Sequence, residues 1–502
     1  MRSVYPFATF SNVPTFVWKR RLIHLFKSFV WVVFFVVVQV SVGQAQKFYS
    51  LEQALEAQAK KSTRIYTLEL RNDGLIDLSP RIGELKKLGS LIIKCKNLKT
   101  LPESLGDLRY LRSLKIESDS LITIPNSIEK LKYLEWLMLK VDGLRGLPQG
   151  IGNLRRLERL EITANNLLVF PKSIGNLQSL KKLEVKANRL ITLPKSIGNL
   201  QRLDTLRLEV NSLVTLPRNI GKLQRLYKLV LQANKLPKLP KSIGRLQGLK
   251  RLTLELNGLK TLTKSIGKLQ NLQMLQLIGG QYTKLPVSIG KMKRLENLYI
   301  LNVPLTTLPE SIGDLKGLKV LWVLKSKLNT LPKAIGDLES LEGLKIRYKQ
   351  SLDPSDFIGV NPRPLHRNGL RVLPRTIVRL KNLQFLDLAY NQLTALPEDI
   401  EKLQSLEHLN LSHNQLTSFP DNLVKLKKLM YLYANYNQLK SLPEAFGEFK
   451  GLGYLQLRYN KIKKLPKSMY KFRLANLYIM HNRLSKEELK AIKKWMQGGT
   501  DY

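Results

Sequence analysis

From Ser79 onward the chain sets apolar side chains on a fixed beat. In LPKSIGNLQRLDTLRLEVNSLVTLP, Leu193 to Pro217, the same dipeptide opens and closes the stretch 23 residues apart. The place held by proline recurs at 102, 125, 148, 171, 194, 217, 240, 263, 286, 309 and 332, with Thr263 as the exception, and resumes at 374, 397, 420, 443 and 466. Within each unit, a stretch such as TLRLEV alternates, placing Leu206 and Leu208 on one face and Thr205, Arg207 and Glu209 on the other. The pattern predicts 18 short strands, from Leu68–Leu70 to Leu477–Ile479. One strand cannot bury its leucines alone, so the copies must stack in parallel, with Ile197, Leu200 and Leu203 of the return segment closing the core behind them. Strands sit about 4.8 Å apart, whereas a helical return segment is about 10 Å wide. The predicted fold is an α/β solenoid, a curved horseshoe with a parallel sheet on the concave face and helical or irregular return segments on the convex face.

A second column accompanies the leucines. Asparagine follows the strand at 165, 188, 211, 234 and 257, and again at 368, 391, 414, 437, 460 and 482. Its amide can satisfy backbone groups of neighbouring coils, and a buried polar group left unpaired costs roughly 1–3 kcal/mol.

With these residues in view, residues 63–484 resemble the leucine-rich-repeat proteins. The LPxxIGxL return segment is similar to the 23-residue Ras-group type of plant Ras-group-related proteins and Scribble-like scaffolds, and to repeats of exported bacterial proteins. The resemblance implies a horseshoe that binds partners along its concave face. It also implies, as one alternative, an intracellular Ras-group-like signalling scaffold.

The ends differ from the repeat. WKRRLIHLFK is followed by the mostly apolar run Phe29–Val42 and by small residues Gly43 and Ala45, so residues 1–45 read as a signal peptide. If residues 29–42 are retained they read as a membrane anchor, the one membrane association expected. Residues 46–62 read as an N-terminal cap helix, with Ser50 and Gln53 in capping-box spacing and Leu51, Ala54, Leu55 and Ala59 on one stripe. Residues 485–502 read as a C-terminal cap helix and tail, with Ser485 and Glu488 in the same spacing and Leu489, Ile492 and Met496 able to cover the last coil. The expected location is outside the cell or on its envelope.

Charge and chemistry narrow the function. The formal net charge is +45, of which residues 1–45 contribute five cations and no acid. Such a field favours anionic partners. Most of the excess falls on return segments and edges, where PKSIG and LKKL recur, so an adhesin for anionic glycan or envelope through its basic outer face is one expectation. Nucleic-acid signatures are absent, and no specific nucleic acid is expected. The single cysteine, Cys95, fills the inward slot of Ala164, Ala187 and Ala233, and reads as a buried structural thiol. His413 and His481 occupy that slot too, and His408 has no partner at metal-ligand spacing. No cofactor, metal site or catalytic group is expected.

The candidate site lies where the copying fails. Early strands pair charges (Lys115 and Glu117, Lys182 and Glu184, Arg207 and Glu209), which suits a wetted face with charges paired across strands. Then Met274 and Ile278, Tyr299 and Leu301, and Val320, Trp322 and Leu324 fall on outward positions. The alternation predicts one exposed apolar patch on adjacent coils. There the asparagine place holds Gly280, Val303 and Ser326, and Pro332 to Pro374 spans 42 residues, an insertion of 19 near 348–367. Long loops in compact folds are often functional or disordered. Beyond it, Phe385, His408, Tyr431, Tyr433, Tyr454, Gln456, Arg458 and Tyr478 decorate the last strands, a set suited to a protein hot spot or to stacking on sugar rings. The expected partner is a protein or peptide on the concave face, contacted by Tyr299, Leu301, Val320, Trp322, Leu324, Phe385, His408, Tyr431, Tyr433, Tyr454 and Arg458.

Overall fold

The computed structural model describes residues 47–60, 65–348, 368–471 and 474–496. The expected signal segment and nearly all of the insertion lie outside the described residues. The coils stack on a single sheet of 19 strands in which every pairing is parallel. Eighteen are the strands read from the leucine beat. The additional one, Lys47–Phe48, pairs in parallel with Thr67 and Leu68 at the head of the sheet. Two residues are too few to show a period, so the pattern did not reveal it.

Register follows the repeat. Leu206 aligns with Leu183 and Leu229, and Leu208 with Val185 and Leu231, all of them buried. The return segments are 3-10 turns of the kind Lys195–Asn199, most of them entered from an extended proline such as Pro194, with Ser79, Thr263 and Asp399 in its place at three. Proline fixes the φ that starts such a turn and has no N–H to leave unsatisfied. Ile197 closes the core from behind, and a side chain on Gly198 would run into the Asn219 carbonyl oxygen of the next coil. Glutamines clip these turns together. The Gln224 amide donates to Gly221 O (2.8 Å) and to Arg245 O one coil on (3.0 Å).

Helix α1 (Leu51–Ala59) starts where Ser50 Oγ accepts the Gln53 N–H, and it packs Leu51, Ala54 and Leu55 into the core while Ala59 stays exposed. Helix α2 (Lys486–Trp495) starts where Ser485 Oγ accepts the Glu488 N–H at 3.1 Å. Ile492 and Met496 are buried against the core, but Leu489 faces solvent. Glu488 anchors this helix instead, accepting from Leu465 N (2.8 Å) and from the Tyr470 hydroxyl (2.6 Å).

The asparagine column is not one structure but two. In the earlier coils the strands run five or six residues, and the residue before the asparagine place (Ala164, Ala187, Val210, Ala233) is extended and buried. The asparagine then points away from the core. Asn188, Asn211, Asn234 and Asn257 each donate to the side-chain oxygen of the asparagine one coil back, at 2.7–3.1 Å. This corrects the expectation that the whole column serves buried backbone.

In the later coils the strands shorten to three residues, as in Phe385–Asp387 and Tyr431–Tyr433. The residue before the asparagine is left-handed: Tyr390, His413, Tyr436, Tyr459 and His481 have φ between 55° and 59°. That single flip turns the asparagine inward. Asn437 donates to Leu411 O of the previous coil (2.9 Å) and to Ala434 O (3.1 Å), while its oxygen accepts from Leu416 N (3.0 Å). Asn414, Asn460 and Asn482 repeat the arrangement. The change begins at Gly279 (φ 68°) and Gly280 (φ 105°), and continues through Asn302 (φ 57°) and Lys325 (φ 50°). Glycine and asparagine enter this region at low cost, whereas Val210 or Leu256 would be strained there.

Candidate binding face

The concave side of the sheet carries parallel rows of side chains, one position per coil. The middle row runs Gln276, Tyr299, Trp322, Lys345, Asp387, Asn410, Tyr433, Gln456, Tyr478. The adjacent row runs Met274, Asn297, Val320, Gly343, Phe385, His408, Tyr431, Tyr454. The sheet therefore brings together the two groups of residues that the sequence shows separated by the insertion.

Tyr299 and Trp322 meet edge to face, with ring centroids 5.3 Å apart at 79°. Such pairs contribute about 0.5–1.5 kcal/mol beyond area burial. The Lys345 ammonium lies 5.3 Å from the Trp322 ring and 5.9 Å from the Phe385 ring, bridging the two groups. From Phe385 the rings continue to His408 (5.6 Å), Tyr431 (4.1 Å), Tyr454 (6.0 Å) and Tyr478 (5.2 Å). Tyr433 joins the face beside His408 and Tyr454.

Polar groups among the rings are held by one another. Asp387 is buried with Lys345 (3.4 Å) and Arg347 (3.6 Å), and its other oxygen accepts the Ala389 N–H (3.1 Å). Asn410 receives the Ser412 N–H in the same way (3.1 Å). These side-chain caps compete with the ladder for backbone donors and accompany the early ends of their strands. Asn435 donates to Gln456 Oε1 (2.5 Å) and accepts from Arg458 N (2.8 Å). The Arg458 guanidinium lies 4.8 Å from the Tyr478 ring. Burial, opposed only by nearby Asp387, pushes His408 down to about 4, so its ring is neutral at physiological pH. Burial likewise raises the hydroxyls of Tyr299 and Tyr433, and pushes Tyr454 up to about 12.

Three expected contact residues are not displayed. Leu301 is 9% exposed, Leu324 5% and Arg458 3%. Alternation places them outward, but each directly precedes the place that turns left-handed (Asn302, Lys325, Tyr459), where the strand geometry ends. Tyr299, Val320, Trp322, Phe385, His408, Tyr431, Tyr433 and Tyr454 are half-buried, each with part of its surface open. Arg347, buried with Asp387, is a concave-side residue that the pattern gave no reason to single out for this role.

The first half of the face differs in kind. Its charges pair mainly along a strand, as in Lys115–Glu117 (2.7 Å) and Lys182–Glu184 (3.0 Å). Cross-strand pairs are fewer, Lys94–Glu69 (3.0 Å) and Lys182–Glu161 (3.5 Å) among them. Cys95 is buried, its thiol donating to Leu70 O, and burial raises its pKa. No group of three or more His, Cys, Asp or Glu among the described residues is placed to hold a metal.

A family model described as a leucine-rich repeat region matches residues 103–189, 172–256, 241–356 and 371–441, which together span more than half the chain. The chain belongs to the leucine-rich-repeat family. A Leptospira interrogans leucine-rich-repeat protein has a similar solved structure, with 28% identity and a TM-score of 0.64, covering 91% of this chain and 100% of that one. The Toll structure of Drosophila, solved as a complex with Spatzle, superposes with a TM-score of 0.66 at 19% identity, covering 88% of this chain and 60% of that one. A TDR receptor gives 0.50 at 22% identity, covering 83% and 80%. No curated protein sequence matches the chain.

Sequence reasoning missed one feature of this leucine-rich-repeat chain. Tyr390, His413, Tyr436, Tyr459 and His481 form a continuous face-to-face stack along the edge where the strands end, with centroids 4.1–4.3 Å apart and planes within 9–12°. The signal was present, since a ring precedes asparagine in each of these last five coils. The inward slot inferred from Ala164 and Ala187 does not transfer, because the left-handed residue no longer points its side chain at the core.

Proposed function

We propose that this leucine-rich-repeat protein is a non-enzymatic binding protein that takes a protein or peptide ligand on the concave face of its later coils, at the cell surface or outside the cell. The observation that carries the reading is the row of partly open rings from Tyr299 and Trp322, across Lys345, to Phe385, His408, Tyr431, Tyr454 and Tyr478. Half-buried aromatics on a rigid sheet present large contact area with little side-chain entropy left to lose, which is the composition of binding hot spots. The polar groups between them are already held by intramolecular bonds, so a ligand meets an ordered wall. The export reading rests on residues 1–45.

The test is capture of ligand from the surface fraction of the native host by immobilised protein. Trp322→Ala and Tyr431→Ala should each reduce capture by about tenfold or more, while Met138→Ala, on the concave face of the first half, should not. Capture undiminished by both aromatic variants would overturn the assignment.

A further inference from the structure

Away from the concave face, the segment that climbs from each asparagine to the next proline forms a flank of its own. Leu168, Ile191 and Val214 occupy one slot of three successive coils and are 42%, 53% and 43% exposed, and Val169 beside them is 60% exposed. The coils are in register there. Val214 N donates to Ile191 O and Leu168 N to Arg145 O, both at 3.0 Å, and Gly146 bridges Val169 in parallel. Coil spacing of about 4.8 Å makes these side chains one exposed apolar strip. In the last coils the slot holds Thr394, Thr417, Lys440 and Lys463.

The surrounding charge is almost all basic, the coil before Leu168 adding Arg145 and one acid, Asp142. The climbing segments 165–172, 188–195, 211–218, 234–241, 257–264 and 280–287 contain Lys172, Arg189, Lys195, Arg218, Lys235, Lys238, Lys241, Lys260, Lys264 and Lys284, and no Asp or Glu. The matching segments 391–398, 414–421 and 437–444 each end on an acid, Glu398, Asp421 and Glu444. Segments 326–333, 368–375 and 460–467 are acid-free too, but Val372 is the one exposed large aliphatic side chain in them, so the run of exposed aliphatics on successive coils within a basic stretch belongs to 165–218.

We propose that this flank docks on the surface of an anionic lipid bilayer, with Leu168, Val169, Ile191 and Val214 entering the headgroup layer and the surrounding cations meeting lipid phosphates. Each half of the arrangement selects against another occupant. A second copy of the chain meeting the flank across a two-fold axis would press like charge on like charge. A soluble polyanion would use the cations but leave the aliphatic strip in water. A bilayer with anionic headgroups satisfies both, as amphipathic surface helices do with a basic rim and an apolar face.

Vesicle flotation tests the proposal with the purified protein. Wild type should float with phosphatidylcholine vesicles containing phosphatidylglycerol, not with phosphatidylcholine alone, and should release at high salt. The triple variant Leu168→Ser, Ile191→Ser, Val214→Ser and the triple variant Arg189→Gln, Lys235→Gln, Lys238→Gln should each lose about tenfold or more in partitioning. All six sites are on the climbing flank, and unchanged thermal melts verify the fold of both variants. Trp322→Ala should float like wild type, which separates this surface from the concave one. Flotation by the aliphatic variant equal to wild type would overturn the proposal and leave a polyanion site. A concentration-dependent dimer abolished by the same variant would overturn it in favour of a second copy.

Discussion

Asn211 and Asn437 hold the same place in the same repeat, yet one lies at the surface beside other asparagines and the other is buried on backbone groups of two coils. What separates them is the residue just before. Val210 continues the strand and fills the core, whereas Tyr436 adopts φ 55° and hands the inward position to the asparagine. The concave faces follow the same division. Early strands display charges that pair with one another, and later strands display rings, first on the five-residue strands of Tyr299 and Trp322 and then on three-residue ones. A repeat can thus keep its period and its leucines while exchanging its turn, and with the turn the surface on offer.

The comparison breaks most sharply at the asparagines. Asn437→Ala strands buried backbone donors and acceptors and should destabilise the later coils by about 3 kcal/mol. Asn211→Ala should cost only a few tenths of that, roughly the scatter of surface substitutions. Urea unfolding read with hydrogen exchange in each half measures the contrast, and equal losses would show that the two columns do the same work.

Next in size is the ring stack. Tyr436 sits between His413 and Tyr459 at 4.3 and 4.2 Å, so Tyr436→Ala removes two ring contacts and should cost about 2 kcal/mol. Tyr436→Gly separates packing from backbone: glycine is at ease at positive φ and should recover part of that loss. A glycine variant worse than alanine would mean that left-handed strain is not stored there.

The smallest effect concerns His408. Its folded pKa is pushed to about 4, below the ordinary value of 6.5, so the neutral ring is what the fold favours. As pH falls below 6.5 the unfolded chain takes a proton that the folded one refuses until about 4. Stability contributed by this site is therefore complete above pH 6.5 and lost on the way down to about 4, by about 1–2 kcal/mol after allowing for its partial exposure. The difference in melting temperature between wild type and His408→Phe across that window reads this directly. A pH-independent difference would remove the shifted histidine from the account.

Much of this was legible beforehand for a physical reason. Leucines at a fixed period can be buried only by stacking, so the parallel sheet, its register and the row positions of Tyr299, Trp322 and Phe385 follow from counting. Leu301 and Leu324 end their strands and Arg458 lies two residues beyond its own, and alternation misjudged all three because each directly precedes a left-handed residue. The residues that mark that point were visible: Asp387 and Asn410 cap the backbone two residues on, and Asn302 or His413 tolerates a left-handed turn. Single-letter patterns do not announce which of these local options the chain takes.

The period, the inward leucines and the proline-led return turns were decided by the sequence alone, because each is a local rule repeated until only one packing accommodates it. Whether an asparagine faces solvent or backbone, whether Leu324 is displayed, and whether the rings on either side of the insertion share one face were decided only when coils met. Those outcomes depend on contacts between residues 21 to 26 apart in the chain, or 40 to 42 apart across the insertion, where a neighbouring coil supplies the partner or the cover.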